Sequence, residues 1–122
     1  MALGIAAASA RTALDAIFAT GDLVYLHTAD PGAAGTTSRL NTAGSKTLTF
    51  AAASGTSKAA TTTLPSWTSW ADTNGAVVTH FSVFSSGGTF KGSGALGTAR
   101  TVNTGDTFSL TSLTAAVTSI AA

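Results

Sequence analysis

Asp72-Thr73-Asn74-Gly75-Ala76-Val77-Val78-Thr79-His80-Phe81-Ser82-Val83-Phe84-Ser85-Ser86-Gly87-Gly88-Thr89-Phe90 is the stretch that decides the fold class. Asn-Gly supplies the positive backbone angles of a tight turn between antiparallel strands. Residues 76–85 are dense in β-branched and aromatic side chains, which fit a pleated surface and read as a strand. Gly87-Gly88 makes a second tight turn, into a strand at 89–91.

Working outward towards the N-terminus, residues 23–28 read as a strand with Val24 and Leu26 on one face and Tyr25 and His27 on the other. Asp30-Pro31-Gly32 stops it, since proline fixes φ and glycine accepts φ > 0. The small, polar stretch 32–45 reads as a loop or an extended arm. Residues 46–53 alternate through Leu48, Phe50 and Ala52, Ser54-Gly55-Thr56 turns the chain, and the Thr-rich run 58–64 is a strand ended by Pro65. Beyond the opening stretch, 92–97 is a loop. Residues 98–103 are a strand closed by Thr104-Gly105-Asp106, 107–113 alternate through Phe108 and Leu110, and 114–120 form a last strand or continue that one.

Residues 6–20 are the helical candidate. Alanine is the best helix former, and Ala10, Ala13, Leu14, Ile17 and Phe18 share one helical face. Ser9 either caps this helix or lies inside it, and Gly21 sits where a left-handed residue would end it. The whole is expected to be mainly β: an antiparallel β-sandwich or barrel of about seven to eight short strands, with one N-terminal α-helix, in a single domain over residues 1–122.

Composition narrows the function classes. Charged residues make up 9% of the chain, against about 25% in ordinary soluble domains. The formal net charge is +1. So little charge favours association, which points to a surface covered in an assembly; a lightly charged secreted monomer is the alternative. Arg11, Arg39, Lys46, Lys58, Lys91 and Arg100 are scattered, so the clustered basic face that phosphate binding needs is missing and no nucleic-acid partner is expected. No apolar run approaches the roughly 18 residues that span a bilayer, and no basic segment precedes the Ala-rich start as in a secretory signal. The chain lacks cysteine, which excludes disulfides and thiolate metal sites.

Chemistry is sparse. His27 and His80 lie in expected strands, and the acidic residues are Asp15, Asp22, Asp30, Asp72 and Asp106, with no glutamate. Neither HExxH nor GxSxG spacing occurs, and no close carboxylate pair is present. Gly87-Gly88 and Gly92-Ser93-Gly94 lack the lysine and the following helix of a phosphate loop. No catalytic residue, metal ligand or cofactor site is therefore expected, and the chain does not read as an enzyme. Each histidine reads as hydrogen-bonding a backbone group near a strand end, with His27 bracing the turn after it, and Asp30 as closing an Asx turn. Trp67 and Trp70 are interaction candidates because tryptophan is enriched in binding hot spots; in a chain this poor in large side chains they read first as core. Tyr25 and Arg39 complete the set of interaction candidates.

Leu26-His27-Thr28-Ala29-Asp30-Pro31-Gly32, the strand Val78 to Phe84, the Gly87-Gly88 turn, Gly94-Ala95-Leu96 and Val102-Asn103-Thr104-Gly105-Asp106, in this order after an Ala-rich helix, resemble a family of small phage virion proteins. Its members carry tail fibre, minor tail or head decoration labels. The chain departs from that pattern at Thr36-Thr37-Ser38-Arg39-Leu40 and at Ser82-Val83-Phe84, so the family's loop chemistry does not transfer. The resemblance implies a structural virion protein with a β-sandwich core, assembled in the host cytoplasm. Its partners would be the major capsid protein or other virion subunits, and the resemblance implies a homo-oligomer, dimer or trimer. Capsid decoration, in which binding to the assembled head stabilises it by mass action, is the first expectation. A tail fibre or minor tail module that binds a cell-surface glycan through Trp67 and Trp70 is the alternative.

Overall fold

The computed structural model describes residues 6–54, 57–59, 65–110 and 113–116. In chain order they form helix α1 (Ala7–Ile17) and strands β1 (Leu23–His27), β2 (Lys46–Thr47), β3 (Ser57–Ala59), β4 (Ser66–Trp67), β5 (Ala76–Phe84), β6 (Phe90–Val102), β7 (Phe108–Ser109) and β8 (Thr114–Ala116). A four-stranded sheet has the order β2-β1-β5-β6, and β3-β8 and β4-β7 form two-stranded sheets. Every pairing is antiparallel.

β5 is the spine of the larger sheet. It starts at the Asn74-Gly75 turn, where Gly75 takes φ 77° and the Ala76 N–H donates to the Thr73 carbonyl. One flank of β5 pairs with β1, in the register Leu23 to Phe84 through His27 to His80, and the other pairs with β6. A bulge interrupts the second ladder: Val78 faces Arg100 but His80 faces Ala95, so Thr79 stands against residues 96–99. Bulges re-aim the side chains that follow. Ala76 and Val78 point into the core before it, and Val83 does so after it.

The core lies where the inner face of this sheet meets β4 and β7. Val24, Leu26, Val78, Val83 and Val102 from the sheet pack in one cluster with Leu48, Phe50, Trp67, Trp70, Phe108, Leu110 and Leu113. This is a layered, sandwich-like arrangement; with β2 and β6 as separate edges, the described strands do not close into a barrel.

α1 buries Ala10 and Leu14. Ser9 lies inside the helix, and Ala6 at the N-cap makes no side-chain bond. The helix ends earlier than its apolar spacing suggests, because Phe18 turns extended to pack on Phe50, with ring centroids 6.0 Å apart. Gly21, at φ 101°, therefore serves the turn into β1 rather than the helix end. Beside it, the Asp22 carboxylate accepts from the Ala19 N–H and from Lys91 Nζ at 2.8 and 3.0 Å, tying the start of β1 to β6.

Three expectations are corrected. Residues 92–97 are not a loop: β6 runs continuously from Phe90 to Val102. At Gly94 the partner strand needs the space. A Cβ on Gly94 would lie 2.9 Å from the ring of Phe81, its cross-strand neighbour. Residues 46–53 contribute only the two-residue β2, although Leu48 and Phe50 are buried as their alternation implies. Residues 32–45 are the loop expected, but not the extended arm given as its alternative. They fold back so that Arg39 pairs with His27 in a single antiparallel bridge, with Leu40 N–H donating to the Leu26 carbonyl and Thr28 N–H to the Ser38 carbonyl. The parts of the expected strands over 60–64 and 117–120 fall outside the described residues. Among the described residues no helix is long and apolar enough to cross a membrane.

Candidate functional site

Alternation along β1 sends Val24 and Leu26 to the core and leaves Leu23, Tyr25 and His27 on the outer face of the sheet. Antiparallel pairing places Phe84, Ser82 and His80 beside them. The returning segment 30–40 lies across this outer face, and the sequence explains how it is held. Asp30 closes an Asx turn, its carboxylate accepting from the Gly32 N–H at 2.9 Å. Pro31 is fully buried, and the Thr37 N–H donates to its carbonyl. Gly35 takes φ 73°, and the Phe90 ring occupies the place where a Cβ would stand.

Beneath the segment, His27 joins three elements. Its Nδ1 lies 2.7 Å from the Thr37 carbonyl and its Nε2 2.7 Å from Ser82 Oγ. A carbonyl only accepts, so Nδ1 carries the proton; the bare Nε2 of the neutral ring accepts from the Ser82 hydroxyl. Burial pushes the imidazole pKa below its ordinary value. The Thr37 hydrogen bond opposes this shift, and the Arg39 and His80 charges reinforce it. A serine hydroxyl on a histidine nitrogen is also the start of a nucleophile–base arrangement. Here both side chains are 0% exposed and the ring is oriented by a carbonyl instead of a carboxylate. No substrate reaches the hydroxyl, and the pair acts as an internal tie between β5, β1 and the returning segment. The expectation that His27 braces the turn after it thus has its counterpart in the Thr37 contact, while His80 bonds the neighbouring Thr79 hydroxyl at 2.8 Å rather than backbone.

Tyr25 and Arg39, two of the interaction candidates, come together. The Arg39 guanidinium lies over the Tyr25 ring, 3.9 Å from its centroid, and 4.7 Å from that of Phe84. Tyr25 and Phe84 meet edge to face at 5.5 Å, making a two-walled aromatic notch for the cation. Arg39 Nε is sealed from solvent without a hydrogen-bond acceptor. This notch escaped sequence reasoning, because it depends on residues 32–45 folding back over the sheet.

Trp67 and Trp70 are elsewhere, on the inner side. They are 3% and 2% exposed. Trp67 meets Phe108 edge to face at 5.8 Å and donates its indole N–H to the Gly44 carbonyl; Trp70 donates to the Thr73 carbonyl. With both rings enclosed and both N–H groups spent internally, they act as core side chains. Asp72 fastens the same region. Burial works against its charged form, but hydrogen bonds from the Thr73 and Ala43 N–H groups, the Thr73 hydroxyl and the Thr42 backbone outweigh this and hold its pKa below the usual carboxylate value.

A groove of about 450 Å³ separates the exposed half of β6 from residues 108–110 and 113–114, with Phe81, Leu96, Phe108, Leu110 and Leu113 on its walls and, among the described residues, Arg100 as its one ionisable side chain. Its described lining holds no general acid, base or nucleophile pair. Among the described residues no three His or Asp side chains converge as a metal site would require.

Residues 9–118 match a family model described as Gp80, podophage GP4 fiber I protein gp80. Neither a curated protein nor a solved structure matches the chain.

Proposed function

The chain belongs to the Gp80 family of podophage GP4 fiber I proteins, and on that footing we propose that it is a structural subunit built into a fibre of the phage particle. The observation that carries this reading is the match over residues 9–118, which takes in helix, sheet and core together. The architecture supports it. The low charge of the chain suits a part that is buried by its neighbours, since interface cores are depleted in charged residues. The family description favours a fibre over the head surface. The enclosed tryptophans favour a scaffolding role over one of gripping a glycan by stacking, since neither ring offers a face. Its partners would be other virion subunits.

Deleting the gene and imaging the particles by negative-stain electron microscopy tests this. Heads that are complete and a fibre that is missing or shortened are the expected result. Intact fibres on particles whose heads rupture on mild heating would overturn the fibre in favour of head decoration.

A further inference from the structure

We propose that Arg39, lodged against Tyr25 and Phe84, is the receptor for a single carboxylate carried by a neighbouring protein subunit of the particle. This rests on the virion reading above and goes beyond it by naming the contact.

The chain has five side-chain carboxylates, and each is already engaged by its own fold. Asp15 accepts from the Ala53 N–H, Asp22 from Lys91 and the Ala19 N–H, and Asp30 from the Gly32 N–H. Asp72 accepts from Ala43 and Thr73, and Asp106 from the Asn103 N–H. None is within reach of Arg39, whose described contacts are the two rings and whose Nε is sealed without an acceptor. A guanidinium carries five donors in a planar fork matched to carboxylate oxygens. Clamped against the aromatic notch, this one has lost rotamer freedom before any partner arrives, which lowers the cost of binding. Its two terminal nitrogens are the part of the fork left for a bidentate contact.

The charge balance selects the ligand. Arg39 is the one lysine or arginine at the notch: burial lowers the pKa of His27 beside it, His80 faces His27 across the strand pair, and the other basic residues within the described sheet are Lys91, paired with Asp22, Arg100 on the far half of β6 and Lys46 on β2. One positive charge matches one carboxylate, whereas phosphate recognition draws on clusters of cations. An acidic sugar would also want an open ring to stack on. Tyr25 already carries the guanidinium on one face and Phe84 at its edge, so a side-chain Asp or Glu of a protein is the better fit.

Competition for assembly tests the proposal. Wild-type chain and Arg39→Gln are co-expressed, with distinguishable mass tags, during infection by phage lacking the gene, and their ratio is measured in purified particles. The expected result is depletion of Arg39→Gln by tenfold or more. Arg39→Lys keeps the charge but not the fork, and is expected to fall between the two. Equal incorporation of all three overturns the contact while leaving the virion reading in place; absence of every form from the particle overturns both. Thermal melting of each purified variant separates folding from binding: depletion that tracks the fall in Tm and not the loss of the fork counts against the proposal. In solution, N-acetyl-aspartate amide is titrated into isotopically labelled protein at constant ionic strength, with chloride as the reference anion. Saturable amide shifts centred on Tyr25, Arg39 and Phe84 are expected. No shift beyond chloride, or glucuronate binding tenfold more tightly, overturns a protein carboxylate as the ligand.

Discussion

Replacing Gly35 by alanine probes whether residues 30–40 truly seal the outer face. Two costs are built into that position. The backbone sits at φ 73°, and an alanine held in the left-handed region costs about 1–2 kcal/mol, of which about 0.4–1 kcal/mol is returned by a more restricted unfolded chain. The new methyl would also lie 2.3, 2.5 and 2.7 Å from Cδ1, Cε1 and Cγ of Phe90. Cγ is the root of the ring, so rotating the ring cannot clear the contact; backbone or rotamer must move, an overpacking cost of about 1–3 kcal/mol. Gly35→Ala should therefore destabilise by about 2–4 kcal/mol, or roughly 8–16 °C in Tm for a domain of this size. Gly21→Ala is the internal reference, since Gly21 has φ 101° and nothing within 4 Å of a Cβ; it carries the backbone cost alone, about 1 kcal/mol or less. Urea unfolding followed by the fluorescence of the buried Trp67 and Trp70 measures both. Repeating Gly35→Ala in a Phe90→Ala background closes a double-mutant cycle, in which most of the extra cost should vanish. If Gly35→Ala is no worse than Gly21→Ala, or the cycle shows no coupling, the segment does not press on Phe90 and the account of the outer face is wrong.

Other consequences follow from the same contacts. Because the folded state lowers the His27 pKa, the folded chain binds fewer protons than the unfolded one. Stability should be full above about pH 6.5, the unfolded value, and fall as the pH drops below it; urea midpoints between pH 8 and 5 should show this slope in wild type and lose it in His27→Gln. Asp72 is also held low, so its contribution persists above the ordinary carboxylate pKa and disappears as the pH falls through the lowered one. Asp72→Asn should flatten that acid limb and cost about 1–3 kcal/mol at pH 7, read by thermal melting. Trp70→Ala should cost about 3–5 kcal/mol, measured by denaturant unfolding, whereas an unchanged midpoint would mean that the ring is not part of the core.

Much of this was legible in local sequence. Asn74-Gly75 and the apolar run after it announced β5, the alternation of Val24 and Leu26 against Tyr25 and His27 assigned both faces of β1, and Asp30-Pro31-Gly32 announced its Asx turn. The burial of the tryptophans followed from the scarcity of other large side chains. What escaped was set by partners distant in sequence. The glycines of 92–97 suggested a loop, yet β5 supplies a ladder and Phe81 a ring that together make a strand of them. Residues 32–45 carry almost no periodicity, and they are held by partners outside the segment: the bridge of Arg39 to His27, the Thr37 carbonyl on the His27 ring, the Ala43 N–H on Asp72 and the Gly44 carbonyl on the Trp67 indole. The notch around Arg39 is a product of that long-range closure, so Tyr25 and Arg39 could be named as candidates without any sign that they would meet.

The central claim, that the chain is a structural subunit of a fibre, is tested most directly by locating and counting it in purified particles, with immunogold labelling and quantitative mass spectrometry on one preparation. Label confined to fibres, in a copy number that is a small multiple of the fibre count, is the result expected. Label spread over the head in hundreds of copies, or no chain in the particle at all, would contradict it.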